Sequence, residues 1–424
     1  MNEFPNQHHS THLLQVKSWH LAVLVLVLVV PWVVLVLRPE PLPVGPTPPA
    51  LTNDLTASSD LRSRLIKHCK PGPWGELDYS RIVMEPPAEF AGAYAQSEPE
   101  VPRWVFPGQT RDQVSLFLQS AKLTSNQWNE IQARAEWSTG PNGTTVRPAR
   151  EWVLGLTRES RSLIYDVLAD SEENAAQYYA LCYHAELMDE WLGNAGLQPA
   201  TLQLIKSLLY VKERTLFLGD LNLAMSLVPD PAERLRLAKA LYRQSALLVK
   251  LRVRPTSNID ALVSYWSRGG RTKDVKPLLE SLPKLPNGFM IDINHLLPKF
   301  ARAYLNTYPQ PNVDSCHDCH WAALNFFNLD PLEKYANRQD AAAAYMSDYY
   351  AITGNPLLGD ILVLVTPQGK ALHSCVYVAD DIVFTKNGLT SCAPWVLMEL
   401  TDVLAFYAQQ QPFRVVTYRL SKLG

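Results

Sequence analysis

The carboxy-terminal hundred residues carry the pattern that most restricts the fold. Cys319 to Asn328 reads as one short apolar helix, and Ala341 to Tyr350 as another. Gly359-Asp360 then opens Ile361-Leu362-Val363-Leu364-Val365, an unbroken apolar run of strand length. Pro367-Gln368-Gly369-Lys370 supplies a turn, Ala371 to Val378 a second strand and Asp381 to Thr385 a third, closed by Asn387-Gly388. Trp395 to Phe406 is expected to be helical and Phe413 to Leu420 a last strand. A helix followed by hairpin-connected strands predicts an α+β layer.

Upstream the texture differs. From Asp112 onward apolar residues recur every three or four positions. Asn174–Leu192, Leu202–Leu216, Ala232–Leu251, Ile259–Tyr265 and Ile291–Tyr304 are the helices this predicts, with a break at Pro229-Asp230-Pro231. Cys69 to Phe106 reads as irregular, with short strands at Ile82–Met84 and Arg103–Phe106. Nearer the amino terminus, Leu21 to Leu37 is seventeen apolar residues without a charge, bracketed by Lys17 and Arg38. That is just long enough to span a bilayer, and no small-residue cleavage site follows it. The expectation is a retained single-pass anchor rather than a cleaved signal. It would leave a short cytoplasmic tail and hold the bulk of the chain on the extracytoplasmic, periplasmic side. Arg38 to Ala50 is proline-rich and reads as an extended spacer.

The expected organisation is therefore four parts. Residues 1–38 are the tail and anchor, 39–53 a proline-rich linker, 54–300 a mostly helical region, and 301–424 the α+β domain. A net charge of −2 and the lack of a Lys/Arg stripe give no case for nucleic acid. Six cysteines in 424 residues are too sparse for a disulfide scaffold.

The chemistry concentrates in Asp314-Ser315-Cys316-His317-Asp318-Cys319-His320-Trp321. Two readings compete. In the first, Asp318 caps a helix whose first residue is Cys319, and the helix amino terminus lowers the thiol pKa. A thiol nucleophile needs a base and an orienting group. His373 heads a predicted strand whose alternation places His373, Cys375 and Tyr377 on one face and Ser374, Val376 and Val378 on the other. Asn387, in the turn after the next strand, is the expected orienter. Lys386 would repel an imidazolium.

In the second reading, Cys316-x-x-Cys319-His320 is a c-type haem attachment signature, with Cys316 and Cys319 as thioether ligands and His320 as axial ligand. A zinc site from Cys316, Cys319, His373 and Cys375 is a third arrangement of the same residues. The nucleophile reading needs neither cofactor nor metal.

The order of Asp318-Cys319, Gly359-Asp360 and His373-Ser-Cys-Val-Tyr-Val-Ala-Asp-Asp resembles the NlpC-type, papain-like cysteine peptidases and amidases. The likeness covers about residues 314–424. It departs from the family pattern at His317, at His320-Trp321 after the cysteine, and at the third polar position. It implies a helix packed on an antiparallel sheet, attack on an amide by Cys319 through a thioester, and His373 as base. Asn387 would orient the ring, and the backbone N–H of Cys319 would help bind the oxyanion. The resemblance also implies peptidoglycan stem peptides, or another protein substrate, as partners, with no cofactor. A papain-like binding module without activity would share the fold.

Overall fold

Nine residues from Glu76 to Met84 pair antiparallel with ten from Gln244 to Val253, the longest strand pairing among the described residues. In the second strand Leu247, Val249, Leu251 and Val253 are buried while Lys250 is exposed and Arg252 only partly buried. This period of two outweighs the helical spacing that sequence alone favours over Ala232–Leu251. The helix there stops at Leu241, having begun at Pro231, where Asp230 accepts hydrogen bonds from the Ala232 and Glu233 amides. In this computed structural model the described residues are 66–96, 101–212, 215–284, 289–310, 317–408 and 412–423.

Lys67–His68 and Phe289–Asp292 complete that sheet at its two edges. Two further sheets of three strands each lie in the same part of the chain. One joins Trp104–Pro107, Gly143–Arg147 and Glu136–Gly140, and the other Leu181–His184, Thr215–Leu218 and Tyr210–Lys212. The expectation of a mostly helical region is corrected accordingly. Asn174–Leu192 breaks into two helices with the strand Leu181–His184 between them, and Leu202–Leu216 into a helix followed by the two strands of a hairpin, because these short strands pair with one another.

The membrane-spanning helix and the single-pass membrane location are also corrected. Among the described residues no helix is long and apolar enough to cross a membrane. The longest have eleven residues, about 17 Å at 1.5 Å per residue against a hydrocarbon core of roughly 30 Å. The run Leu21–Leu37, the linker expected at 39–53, and Cys316 lie outside the described residues.

The carboxy-terminal part is α+β, as its pattern predicts. Six strands form one antiparallel sheet in the order Tyr349–Ile352, Arg414–Leu420, Ile361–Val365, Ala371–Ala379, Ile382–Lys386, Trp395–Glu399. Trp395–Glu399 replaces the first turn and more of an expected helix, which begins only at Leu400 and runs to Ala408. The short helix Cys319–Leu324 packs on one face of this sheet. Its Trp321, Ala323 and Leu324 share a core with Ile361, Val376, Val378 and Phe384, and that core continues into Leu77, Leu251, Trp266 and Phe300. The Leu400–Ala408 helix covers the other face, where Val403 and Tyr407 meet Leu362, Leu364, Cys375, Tyr377 and Val383.

Gly359-Asp360 has a structural explanation. Gly359 sits at φ +88°, and a Cβ there would lie 2.1 Å from the Phe327 ring, so no other residue fits. Asp360 is fully buried. It accepts from the Leu357 amide at 2.8 Å and from Arg419 Nε and Nη2 at 3.0 and 2.6 Å, tying the last strand into the sheet.

Candidate functional site

Asp318 caps the Cys319 helix as expected, its Oδ1 accepting from the Trp321 amide at 2.8 Å. Beneath the cap, the His317 ring lies flat on Trp321 at 3.7 Å and donates through Nε2 to Glu333 Oε2 at 2.7 Å. Residues 317–320 are each partly exposed, whereas the strand they face is buried. The site therefore has a solvent side, formed by the helix start, and a dry side, formed by the sheet.

Burial pushes the Cys319 thiol up to about 12, and the neighbouring Asp318 carboxylate pushes the same way. The backbone N–H groups of Ser374 and His320 and the charge of Lys386 pull it down, but they do not offset the burial. The expected low-pKa thiolate is thus replaced by a protonated thiol. A six-residue helix with a carboxylate at its cap cannot compensate for taking the sulfur out of water.

The strand alternation is as predicted, and it divides the neighbours of Cys319 between two faces of the sheet. His373 is fully buried on the Tyr407 side. Its Nε2 lies 2.9 Å from Thr385 Oγ1, and its ring stacks on Tyr407 at 4.4 Å. Thr385 in turn donates to Asn387 Oδ1 at 3.4 Å, and Asn387 Nδ2 donates to Met398 Sδ at 2.9 Å. The proton directions follow from one another. With Asn387 anchored through its amide nitrogen, its oxygen takes the threonine hydrogen. The threonine lone pair then accepts from Nε2–H, which leaves the lone pair on Nδ1. That Nδ1 is buried and has no hydrogen-bond partner. Burial, followed by the charge of His320, holds the imidazole neutral down to about 3.

Cys319 and His373 are not hydrogen-bonded to each other. The Ser374 amide, one residue along the strand from His373, favours the Cys319 thiolate. Asn387 does not touch the imidazole but reaches it through Thr385, which sequence reasoning passed over. Its signal was the same alternation: Val383, Thr385 and Asn387 share the face of His373 and Cys375 once the two strands pair. Lys386 points to the opposite face, where its Nζ donates to the Gly388 carbonyl at 2.7 Å.

On the helix side of the strand, Ser374 Oγ lies 2.7 Å from His320 Nδ1 and accepts from the Tyr345 hydroxyl at 2.9 Å. Of the haem ligand set, Cys319 and His320 are described, the thiol turned toward the sheet and the imidazole held by Ser374. Among the described residues no group of three or more His, Cys, Asp or Glu side chains is placed to hold a metal ion. The five described cysteines are free thiols.

Comparison with family models, with curated proteins and with solved structures finds no match to this chain.

Proposed function

We propose that the carboxy-terminal layer is a cysteine hydrolase or transferase that acts on an amide bond through Cys319 and His373. One observation carries the reading. His373 is held through Nε2 by Thr385 and Asn387, while its Nδ1 is buried and unpartnered, one residue along the strand from Ser374. A base fixed by one nitrogen and bare at the other is the arrangement that nucleophilic catalysis uses.

The resting pair is a neutral thiol and a neutral imidazole. Attack requires the Cys319 thiol to reach His373 Nδ1 from the other side of the strand. Its proton then passes to Nδ1, sulfur bonds the carbonyl carbon, and the carbonyl π pair moves onto oxygen. The oxyanion collapses, the C–N bond breaks, and the imidazolium proton leaves with the amine. Water then gives a proton to Nδ1 and its oxygen bonds the thioester carbon. The C–S bond breaks and sulfur takes the proton back. In transfer, an amine replaces the water. The NlpC-like order of motifs points to peptide amides, with cell-wall stem peptides the substrate class it implies.

An inactive module of the same fold is favoured by one fact, the missing hydrogen bond between Cys319 and His373. A single experiment separates the two. The protein is treated with p-nitrophenyl acetate at neutral pH and acetyl groups are mapped by mass spectrometry. Acetylation at Cys319 that falls on the order of 100-fold in His373→Ala supports the enzyme. No adduct at Cys319, or an equal rate in His373→Ala, refutes it.

A further inference from the structure

His320 follows the nucleophile directly, and its surroundings fix its chemistry more tightly than packing requires. The Tyr345 hydroxyl donates to Ser374 Oγ, so the serine hydrogen is left to donate elsewhere. The one other partner of that oxygen is His320 Nδ1, at 2.7 Å. A nitrogen that accepts carries no hydrogen, so the hydrogen of a neutral His320 sits on Nε2. Burial keeps the ring neutral by lowering its pKa. Unlike His373 Nδ1, the Nε2 of His320 is not among the buried polar atoms lacking a partner, and the residue is partly exposed at the mouth of the site. The ring therefore offers one N–H of fixed tautomer on the residue next to the thiol. The backbone N–H groups of Ser374 and of His320 itself both favour negative charge on the sulfur.

We propose that Tyr345, Ser374 and His320 form a relay that holds His320 as an N–H donor to the carbonyl oxygen of the substrate, making it the side-chain member of the oxyanion site. The inference rests on the proposed acyl-transfer reading. Its chemistry is that of a neutral imidazole acting as an electrophile: it stabilises charge on oxygen without a proton leaving the ring. The relay occupies the sheet face opposite the base, so one strand positions both groups, His373 on one side and Ser374 with its bound His320 on the other. It also gives a role to His320, one of the positions at which the chain departs from the pattern it resembles.

The test compares two reactions of the same sulfur. Iodoacetamide alkylates a thiolate by displacement and builds no oxyanion, whereas p-nitrophenyl acetate acylates through one. In His320→Ala, acylation of Cys319 falls on the order of 100-fold, while alkylation stays within about threefold of the parent. His320→Gln, which keeps an N–H donor, recovers part of the acylation. Acylation unchanged in His320→Ala overturns the proposal, as does an equal fall in both reactions, which would mean that the relay only holds the helix in place. A parent protein that is never acylated at Cys319 defeats the acyl-transfer reading itself, and the donor role with it. A measurement without turnover stands beside these. Nitrogen-15 NMR of the unmodified protein shows the Nε2–H tautomer for His320, and a ring protonated on Nδ1 instead overturns the relay.

Discussion

His373 Nε2 and Thr385 Oγ1 meet at 2.9 Å inside the sheet, on adjacent strands and on the same face. This bond decides which imidazole nitrogen carries the hydrogen and which keeps its lone pair. Thr385→Val keeps the shape and removes the hydroxyl, leaving Nε2–H buried without an acceptor. Such a loss costs about 1–3 kcal/mol of stability. It also frees the ring to adopt the other tautomer. Acylation of Cys319 by p-nitrophenyl acetate is expected to fall about 10- to 100-fold, with Thr385→Ser close to the parent. Parent-like acylation in the valine variant would remove Thr385 from the mechanism.

The thiol offers a second prediction, in its pH dependence. A thiolate–imidazolium pair reacts with alkylating agents at a rate that levels off well below neutrality. Here the thiol is pushed up to about 12 by burial and His373 is held neutral down to about 3. The reactive thiolate is thus a small fraction that grows tenfold per pH unit. The iodoacetamide rate at Cys319 should rise with unit slope from pH 6 to pH 9. A plateau in that range would show that the two groups form an ion pair.

Much of the carboxy-terminal layer was legible because its strands are bounded by turns and its motifs are local. Ile361–Val365 and Ala371–Ala379 fall where the apolar runs end at Gly359 and Pro367. The face assignment of His373 follows from alternation alone. Thr385 was missed because its role depends on register between strands, which no single strand reveals. Trp395–Glu399 was misread as helix because five apolar or long side chains in a row carry no period, and it is pairing with Ile382–Lys386 that makes them a strand. The same holds for Gln244–Val253, whose partner lies some 160 residues away. The high thiol pKa was also hidden, since burial is a property of the assembled site and the cap rule considers only the helix.

His373 ties the site to acid stability. Its folded pKa, about 3, lies below the ordinary value of 6.5 because burial disfavours the charged ring. Between those values the unfolded chain binds a proton that the folded chain refuses. The stability this group contributes is therefore complete above pH 6.5 and declines as pH falls toward 3, by up to about 1.4 kcal/mol per pH unit. In His373→Phe, which preserves a ring against Tyr407, that slope disappears. Urea unfolding at pH 7, 6, 5 and 4 measures it; parallel curves for parent and variant would mean that His373 is protonated in the folded protein.

Asp360 supplies the last prediction, and it concerns the frame that sets the register of the His373 strand. Its carboxylate is buried, binds Arg419 through two nitrogens, and has Arg268 Nη2 3.6 Å away. Two arginines thus depend on one acid. Removing the acid costs more than removing either base, because it leaves two partly buried guanidinium groups without a counter-charge. Asp360→Asn should destabilise the protein by about 3–5 kcal/mol, the range for breaking a buried pair from one side. Arg419→Met alone should cost less, since Arg268 remains to face the carboxylate. Because Arg419 lies on Arg414–Leu420, between the Ile361–Val365 and Tyr349–Ile352 strands, the loss should show first as faster amide exchange in those three strands. The double change Asp360→Asn with Arg419→Met should be more stable than Asp360→Asn alone. Equal stability of the two would show that the cost does not lie in the unpaired charge.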